Sequence, residues 1–289
     1  MAGEAATQLG TLLVSCPDQK GIVAAVAQVL FAQGANILDS DQHTDPIAGM
    51  FFQRIYFDLS TAETDRAALE AALEDVRRRF GGEYTLVLGT RTPRVAIFCS
   101  KQEHCLYDLL IRYRAGELPC HVAMVISNHP TLAPVAAHFD VPFHHLPITA
   151  ATKRDQEAAA LELLARDSVD LIVLARYMQI LSPELVARYP SRIINIHHSF
   201  LPAFVGANPY RQAYERGVKL IGATSHYVTA ELDEGPIIEQ AVIRCSHRDH
   251  PDELMRKGKD LEKRALARAV RLHLQDRILV YSGKTVVFD

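Results

Sequence analysis

The stretch Arg192–Phe204, RIINIHHSFLPAF, decides the reading of the fold. From Arg192 to Ile196 it alternates around β-branched residues as a buried strand does, and the apolar run breaks where polar groups begin. Such a break commonly marks a site. Asn195 and His197 lie two apart, so on a strand they project to one face, whereas His198 is expected to point the opposite way. Further on, Ala223–Gln240 reads ATSHYVTAELDEGPIIEQ, and its Asp233 is expected on a neighbouring loop of the same sheet.

Outward from this strand the same signal recurs. Apolar β-rich runs at Val95–Cys99, His121–Ser127 and Leu171–Ala175 alternate with helical patterns, which predicts a mostly parallel, Rossmann-like sheet with helices on both faces. Ligands of such sheets sit beyond the carboxyl ends of the strands, where the strand order switches, and Asn195 to Ser199 occupies that kind of position. Ser182 followed by Pro183 and Glu184 is a helix start, so Tyr177 to Leu181 is expected to be a loop at a strand end. The tail RILVYSGKTVVFD reads as a terminal hairpin about Ser282-Gly283-Lys284.

Towards the N-terminus the pattern is strand Thr11–Ser15, helix Gly21–Gln33, strands Ile37–Thr44 and Met50–Asp58, helix Asp65–Phe80 and strand Tyr84–Leu88. That order is the βαββαβ, ferredoxin-like unit. The polar stretch Gly89–Pro93, GTRTP, is the expected boundary, dividing an α/β chain into residues 1–88, a linker at 89–93, and a second domain at 94–289.

Composition narrows the function. The 289 residues, 48% of them hydrophobic, suffice for a core in each of two domains. A net charge of -3 and a pI near 6.5 supply no broad basic field, so a small-molecule substrate is expected rather than nucleic acid. Cys16, Cys99, Cys105, Cys120 and Cys245 are odd in number and lack CxxC spacing, which argues for reduced cytosolic thiols over a disulfide framework. The start MAGEAATQLG has no basic region leading into an apolar one, and no apolar run is long enough to span a bilayer, so a cytoplasmic protein without a membrane partner is expected.

Two resemblances sharpen this. The turn CPDQKGIVAAVAQVLFAQGANI makes the first domain similar to an ACT domain, in which the Asp-x-x-Gly turn, here Asp18 to Gly21, commonly borders an effector pocket. The resemblance implies a possible amino-acid effector site at Asp18, Gly21 and Ile22. Against it stands the plain reading that Asp18 caps the helix. The Asn-x-His pair, the Leu-Asp-x-Gly-Pro run, LARYMQILSPEL before them and HCLYDLL at His104–Leu110 resemble the formyltetrahydrofolate deformylases, over residues 9 to 289. That resemblance implies a formyltransferase-like catalytic domain, a catalytic trio of Asn195, His197 and Asp233, and a folate pocket lined by Met178, Gln179, Ile180 and Leu181 and by Val228, Thr229, Ala230, Glu231 and Leu232. It also implies a role in one-carbon balance and in formate supply for purine synthesis, and a homodimer or homotetramer paired through ACT domains. For Ile180 and Leu181 the competing reading is ordinary core packing.

Transfer of a formyl group from a tertiary amide nitrogen to water needs a polarised carbonyl, a deprotonated nucleophile and a stabilised oxyanion. Asn195 can donate to the formyl oxygen. Protonated His197 can add a charge-assisted donor, and Asp233 can hold that charge, orient the water and accept its proton. A nearby carboxylate is expected to favour the imidazolium of His197. No cofactor is expected, because 10-formyltetrahydrofolate is the substrate. Metal is expected to be absent too: His197, His198, His226 and Asp233, like His144 and His145, are ligand types, yet adjacent strand histidines face opposite sides and no HExxH spacing exists. Two alternatives remain open. One is a transferase that passes the formyl group to an amine such as glycinamide ribonucleotide. It would need a glycine-rich anion cradle, and Ser100-Lys101-Gln102-Glu103 after the first strand contains no glycine. The other is a catalytically inactive amino-acid or folate sensor.

Overall fold

A computed structural model describes residues 8–62, 64–89, 92–149, 151–201 and 209–289. Residues 1–7 of the start read above for targeting, Thr90 and Arg91 of the linker, and Pro202–Phe204 of the decisive stretch lie outside the described residues.

The chain divides into two compact units. The first contains β1 (Leu9–Pro17), α1 (Ile22–Ala32), β2 (Asn36–Asp45), β3 (Met50–Asp58), α2 (Arg66–Phe80) and β4 (Glu83–Leu88). Its antiparallel sheet has the order β2-β3-β1-β4, the ferredoxin-like arrangement expected. Helix α1 buries Ile22, Val26 and Leu30, one residue per turn, against Leu12, Phe51, Ile55 and Phe57. Helix α2 starts where Asp65 accepts a 2.8 Å hydrogen bond from the Ala68 amide.

The second unit is a seven-stranded sheet in the order β11-β10-β9-β8-β5-β6-β7. Its elements run β5 (Arg94–Cys99), α3 (His104–Arg114), β6 (His121–Ser127), α4 (Ala133–His138), β7 (Phe143–His145), α5 (Lys153–Arg166), β8 (Leu171–Ala175), α6 (Pro183–Arg188), β9 (Ile193–His197), α7 (Pro209–Glu215), β10 (Leu220–Tyr227), β11 (Ile237–Arg244) and α8 (Pro251–Leu274). Strands β5 to β9 are parallel, and every residue of β8 is buried, as a strand covered on both faces must be. The chain begins at the centre with β5, passes outward to β7, then returns to lay β8 on the other side of β5. The switch in strand order therefore falls between β5 and β8, and there the Ser100 hydroxyl receives the Met178 amide at 3.0 Å. Antiparallel β10 and β11 complete one edge, and they and the short β7 are strands that periodicity had not singled out.

The tail is a hairpin, β12 (Ile278–Tyr281) and β13 (Lys284–Val287), turned by Ser282 at φ 44° and Gly283 at φ 73°. The compact units cut across the boundary read from the sequence, because Asp276–Leu279 and Val286–Asp289 belong to the first unit and Val280–Thr285 to the second. Among the described residues no helix is long and apolar enough to cross a membrane.

Candidate active site

Strand β9 carries Asn195 and His197 on one face to the end of the sheet, and β10 runs antiparallel beside it with His226 opposite Asn195. A register shift between Ser225 and His226 follows, and the chain then loops through Asp233 and returns at Pro236, whose carbonyl accepts from the Tyr227 amide at 2.9 Å. The return is tight. A Cβ at Gly235 would lie 1.7 Å from the Tyr227 carbonyl oxygen, so only glycine fits. Asp233 itself sits at φ 58°, a conformation that aspartate tolerates better than most residues.

This fold-back brings the expected trio together. His197 Nδ1 is 3.2 Å from Asp233 Oδ2, and the other carboxylate oxygen is 3.6 Å from His226 Nε2. The hydrogen bond from His197 Nδ1 holds the Asp233 carboxyl well below the usual carboxylate range. The outer nitrogen of His197, Nε2, is buried with no hydrogen-bond partner among the described residues. His226 is the residue that sequence reasoning assigned only as a ligand type. Its Nδ1 donates to the Tyr227 carbonyl at 2.9 Å, and its Nε2 takes the Asn195 amide at 3.2 Å. One N–H of Asn195 is thereby fixed, and the second has no partner among the described residues.

His198 departs from expectation. Strand alternation stops at His197, where β9 ends, and the His198 ring comes to rest 5.1 Å from that of His197 at an interplanar angle of 35°. The two imidazoles are neighbours rather than opposed.

The first expected folate segment splits by burial. Tyr177 and Leu181 enter the core, Tyr177 meeting Phe98 edge-on at 5.3 Å, while Met178 and Ile180 are 58% and 60% exposed. Gln179 is half-buried. Core packing thus holds for Leu181 and fails for Ile180. Ser182 caps α6 by accepting from the Leu185 amide, as read from its sequence. In the second segment Val228 packs against the core, Thr229 donates to the Glu231 carbonyl at 3.2 Å, and Ala230, Glu231 and Leu232 are exposed.

In the first unit, the turn Asp18–Gly21 does not cap α1 through a side chain. Gly21 is the cap residue, at φ 97°, and no side-chain cap bond forms, while the Asp18 amide donates to the Gly49 carbonyl at 2.8 Å. Ile22 is a correction to the expected effector set: its side chain is 2% exposed within the core, where apolar burial holds it, and offers an effector no side-chain contact.

Behind the trio lies a buried ionic cluster that no local pattern announced. Glu262 of α8, 1% exposed, is joined by His104 Nε2 at 2.8 Å, the Tyr210 hydroxyl at 3.0 Å and Arg176 Nε at 3.5 Å. Burial pushes the Glu262 carboxyl up, but His104 and Arg176 outweigh it, and it lies below its ordinary value. The Cys105 thiol also comes close, giving a possible ligand group of His104, Cys105 and Glu262. Burial drives that thiol well above its ordinary pKa, and Arg176 already supplies the cation that Glu262 requires.

A doubly wound sheet whose end presents a tethered amide, an imidazole with one nitrogen unpartnered among the described residues and a carboxylate paired to its other nitrogen defines an enzyme site able to polarise a carbonyl. Comparisons with known proteins agree. The profile of the formyl transferase family matches residues 93–270, and that of the ACT domain residues 10–80. A formyltetrahydrofolate deformylase of Synechocystis sp. is 54% identical over 96% of this chain and 98% of its own. The crystal structure of a formyltetrahydrofolate deformylase from Pseudomonas syringae pv. tomato superposes with a TM-score of 0.93 at 44% identity, covering 99% of this chain and 96% of the other. A glycinamide ribonucleotide transformylase from Symbiobacterium toebii gives 0.65 at 34% identity, covering 72% of this chain and all of its own. The chain belongs to the formyl transferase family and, within it, to the formyltetrahydrofolate deformylases.

Proposed function

We propose that this chain hydrolyses 10-formyltetrahydrofolate to formate and tetrahydrofolate. The observation that carries the reading is the pairing of His197 with Asp233 through Nδ1, which leaves the buried Nε2, on the strand face it shares with Asn195, without a partner among the described residues. In this reading the second N–H of Asn195 and Nε2–H of His197 converge on the formyl oxygen, and Asp233 sustains the positive charge of His197. One such donor is worth about 3 kcal/mol to the transition state. The exposed apolar side chains of Met178, Ile180 and Leu232, with the backbone of Gln179 and of Val228 to Glu231, receive the pterin. These residues supply the electrophilic assistance unaided, so no cofactor or metal is assigned.

The similarity to a glycinamide ribonucleotide transformylase keeps amine transfer as the rival. Ser100 speaks against it: its hydroxyl bridges the Met178 amide and Asn128 Oδ1, at 3.0 and 2.7 Å, in a segment without the glycines an anion cradle uses. We assign the product formate to purine synthesis and the activity to one-carbon balance. The ACT unit is assigned to a small amino acid, held by the backbone amides around Gly21 with Asp18, and to pairing of copies as a homodimer or homotetramer in the cytoplasm.

The test is formate release from 10-formyltetrahydrofolate, with EDTA present and with glycinamide ribonucleotide as competitor. Hydrolysis is expected to persist in both, and Asp233→Asn to lower kcat by about 10²-fold or more with its melting temperature retained. Rapid formylation of the ribonucleotide, or unchanged turnover in the variant, overturns the reading.

A further inference from the structure

The trio leaves one step of the proposed hydrolysis without an agent. Water attacks only as its proton leaves, so it needs an acceptor. Asp233 is a poor one, because the His197 imidazole already engages its carboxylate and lowers its basicity. His198 stands next in the chain to His197, half-buried, its ring 5.1 Å from that of His197 and with no hydrogen bond among the described residues.

We propose that His198 is a further catalytic residue, the acceptor that holds the attacking water beside His197, and that Tyr210, tethered to the buried Glu262, packs next to its ring. The inference rests on the hydrolase reading and names the group that makes water the nucleophile.

The cluster is built for this place. Arg176 follows β8 directly, at φ 62° and 8% exposed, and its Nε faces Glu262. Tyr210, hydrogen-bonded to Glu262, sets its ring 6.4 Å from that of His198. Gly258 stands one turn before Glu262 on α8, where a Cβ would lie 2.0 Å from the Tyr210 hydroxyl, so the helix makes room for that tyrosine. The charges facing His198 come from Arg176 after β8, His197 on β9, Asp233 after β10 and Glu262 on α8. Burial, then Arg176 and His197, push its pKa down to about 4, against the opposing pull of Glu262 and Asp233. At neutral pH the ring is therefore an uncharged acceptor.

The step balances as follows. The water oxygen bonds to the formyl carbon, the carbonyl π pair moves onto the oxygen held by Asn195 and His197, and one water proton passes to His198. A weak base suffices, since the oxygen becomes strongly acidic as it bonds to carbon. On collapse the C=O re-forms, the C–N bond breaks with its pair on nitrogen, and His198 returns the proton to that nitrogen. Tetrahydrofolate and formic acid leave, and the acid ionises in solvent.

The test compares the unaltered chain with His198→Ala and His198→Gln in formate release, with thermal melting as the control for folding. Both variants are expected to lose about 10²- to 10⁴-fold in kcat with KM within about threefold. Added imidazole is expected to restore part of the His198→Ala rate in proportion to its neutral fraction, a response that a structural role would not give. Retention of kcat within about threefold in either variant overturns the inference, and so does a loss of rate in His198→Ala that imidazole leaves untouched. If His198→Ala does not fold, His198→Gln decides alone on its kcat. Absence of formate release from the unaltered chain is a separate outcome, which sinks the hydrolase reading and this inference with it.

Discussion

At the scale of the residue, the site depends on one missing methyl group. Gly235 lies against the Tyr227 carbonyl so closely that the Asp233 loop closes only without a side chain there. Gly235→Ala is expected to cost on the order of 3 kcal/mol, because the obstruction is backbone and cannot rotate away. Formate release should also fall in the fraction that still folds, since Asp233 moves with the loop; a denaturant midpoint and a kcat on the same sample check both. Asn195 and His197 were legible because a period of two fixes their common face. The same rule misplaced His198, since alternation ends with the strand. His226 was invisible as the tether of Asn195 because that bond is set by the register of β10 against β9, which no local pattern encodes.

At the scale of the element, propensity and packing disagree on α8. Alanine in place of Gly258 favours an isolated helix by about 1 kcal/mol. Here it would displace the Tyr210 ring, costing a buried carboxylate one of its partners, worth about 1–3 kcal/mol. Gly258→Ala is therefore expected to destabilise on balance, read as a lowered denaturant midpoint at constant m. Elements with strong periodicity were read within a residue or two, as with Met50–Asp58 and Leu171–Ala175. Strands β10 and β11 escaped because the segment between them is dominated by the Asp233 loop, and β7 because three residues carry no period. The Arg176–Glu262 pair escaped for a different reason: it joins a strand end to a helix far along the chain.

At the scale of the whole molecule, stability responds to pH through Asp276. Burial raises its carboxyl to about 6, with Arg54 opposing. A carboxyl raised above its unfolded value of about 3.9 binds its proton more tightly in the folded state, so stability falls as pH rises from about 4 to about 6 and then levels. Asp276→Asn, an uncharged side chain of the same shape that tolerates φ 50°, is expected to stabilise at pH 7 by on the order of 2 kcal/mol and to change little at pH 4. Denaturant midpoints at the two pH values check this. The sequence placed the boundary between the units near Gly89, and composition could not reveal that the tail returns to the first unit, because its partners lie so far upstream.

That return has a consequence for synthesis. Buried Arg54 in the first unit gives its Nε–H to the carbonyl of Asp276, 222 residues later, and Phe288, 2% exposed, also belongs there. At a translation rate of about 5–20 residues per second, the guanidinium waits roughly 10–45 s for its acceptor to leave the ribosome. The unit that begins the chain is thus the last to be completed, and a nascent chain halted before its final segment carries an unfinished first unit.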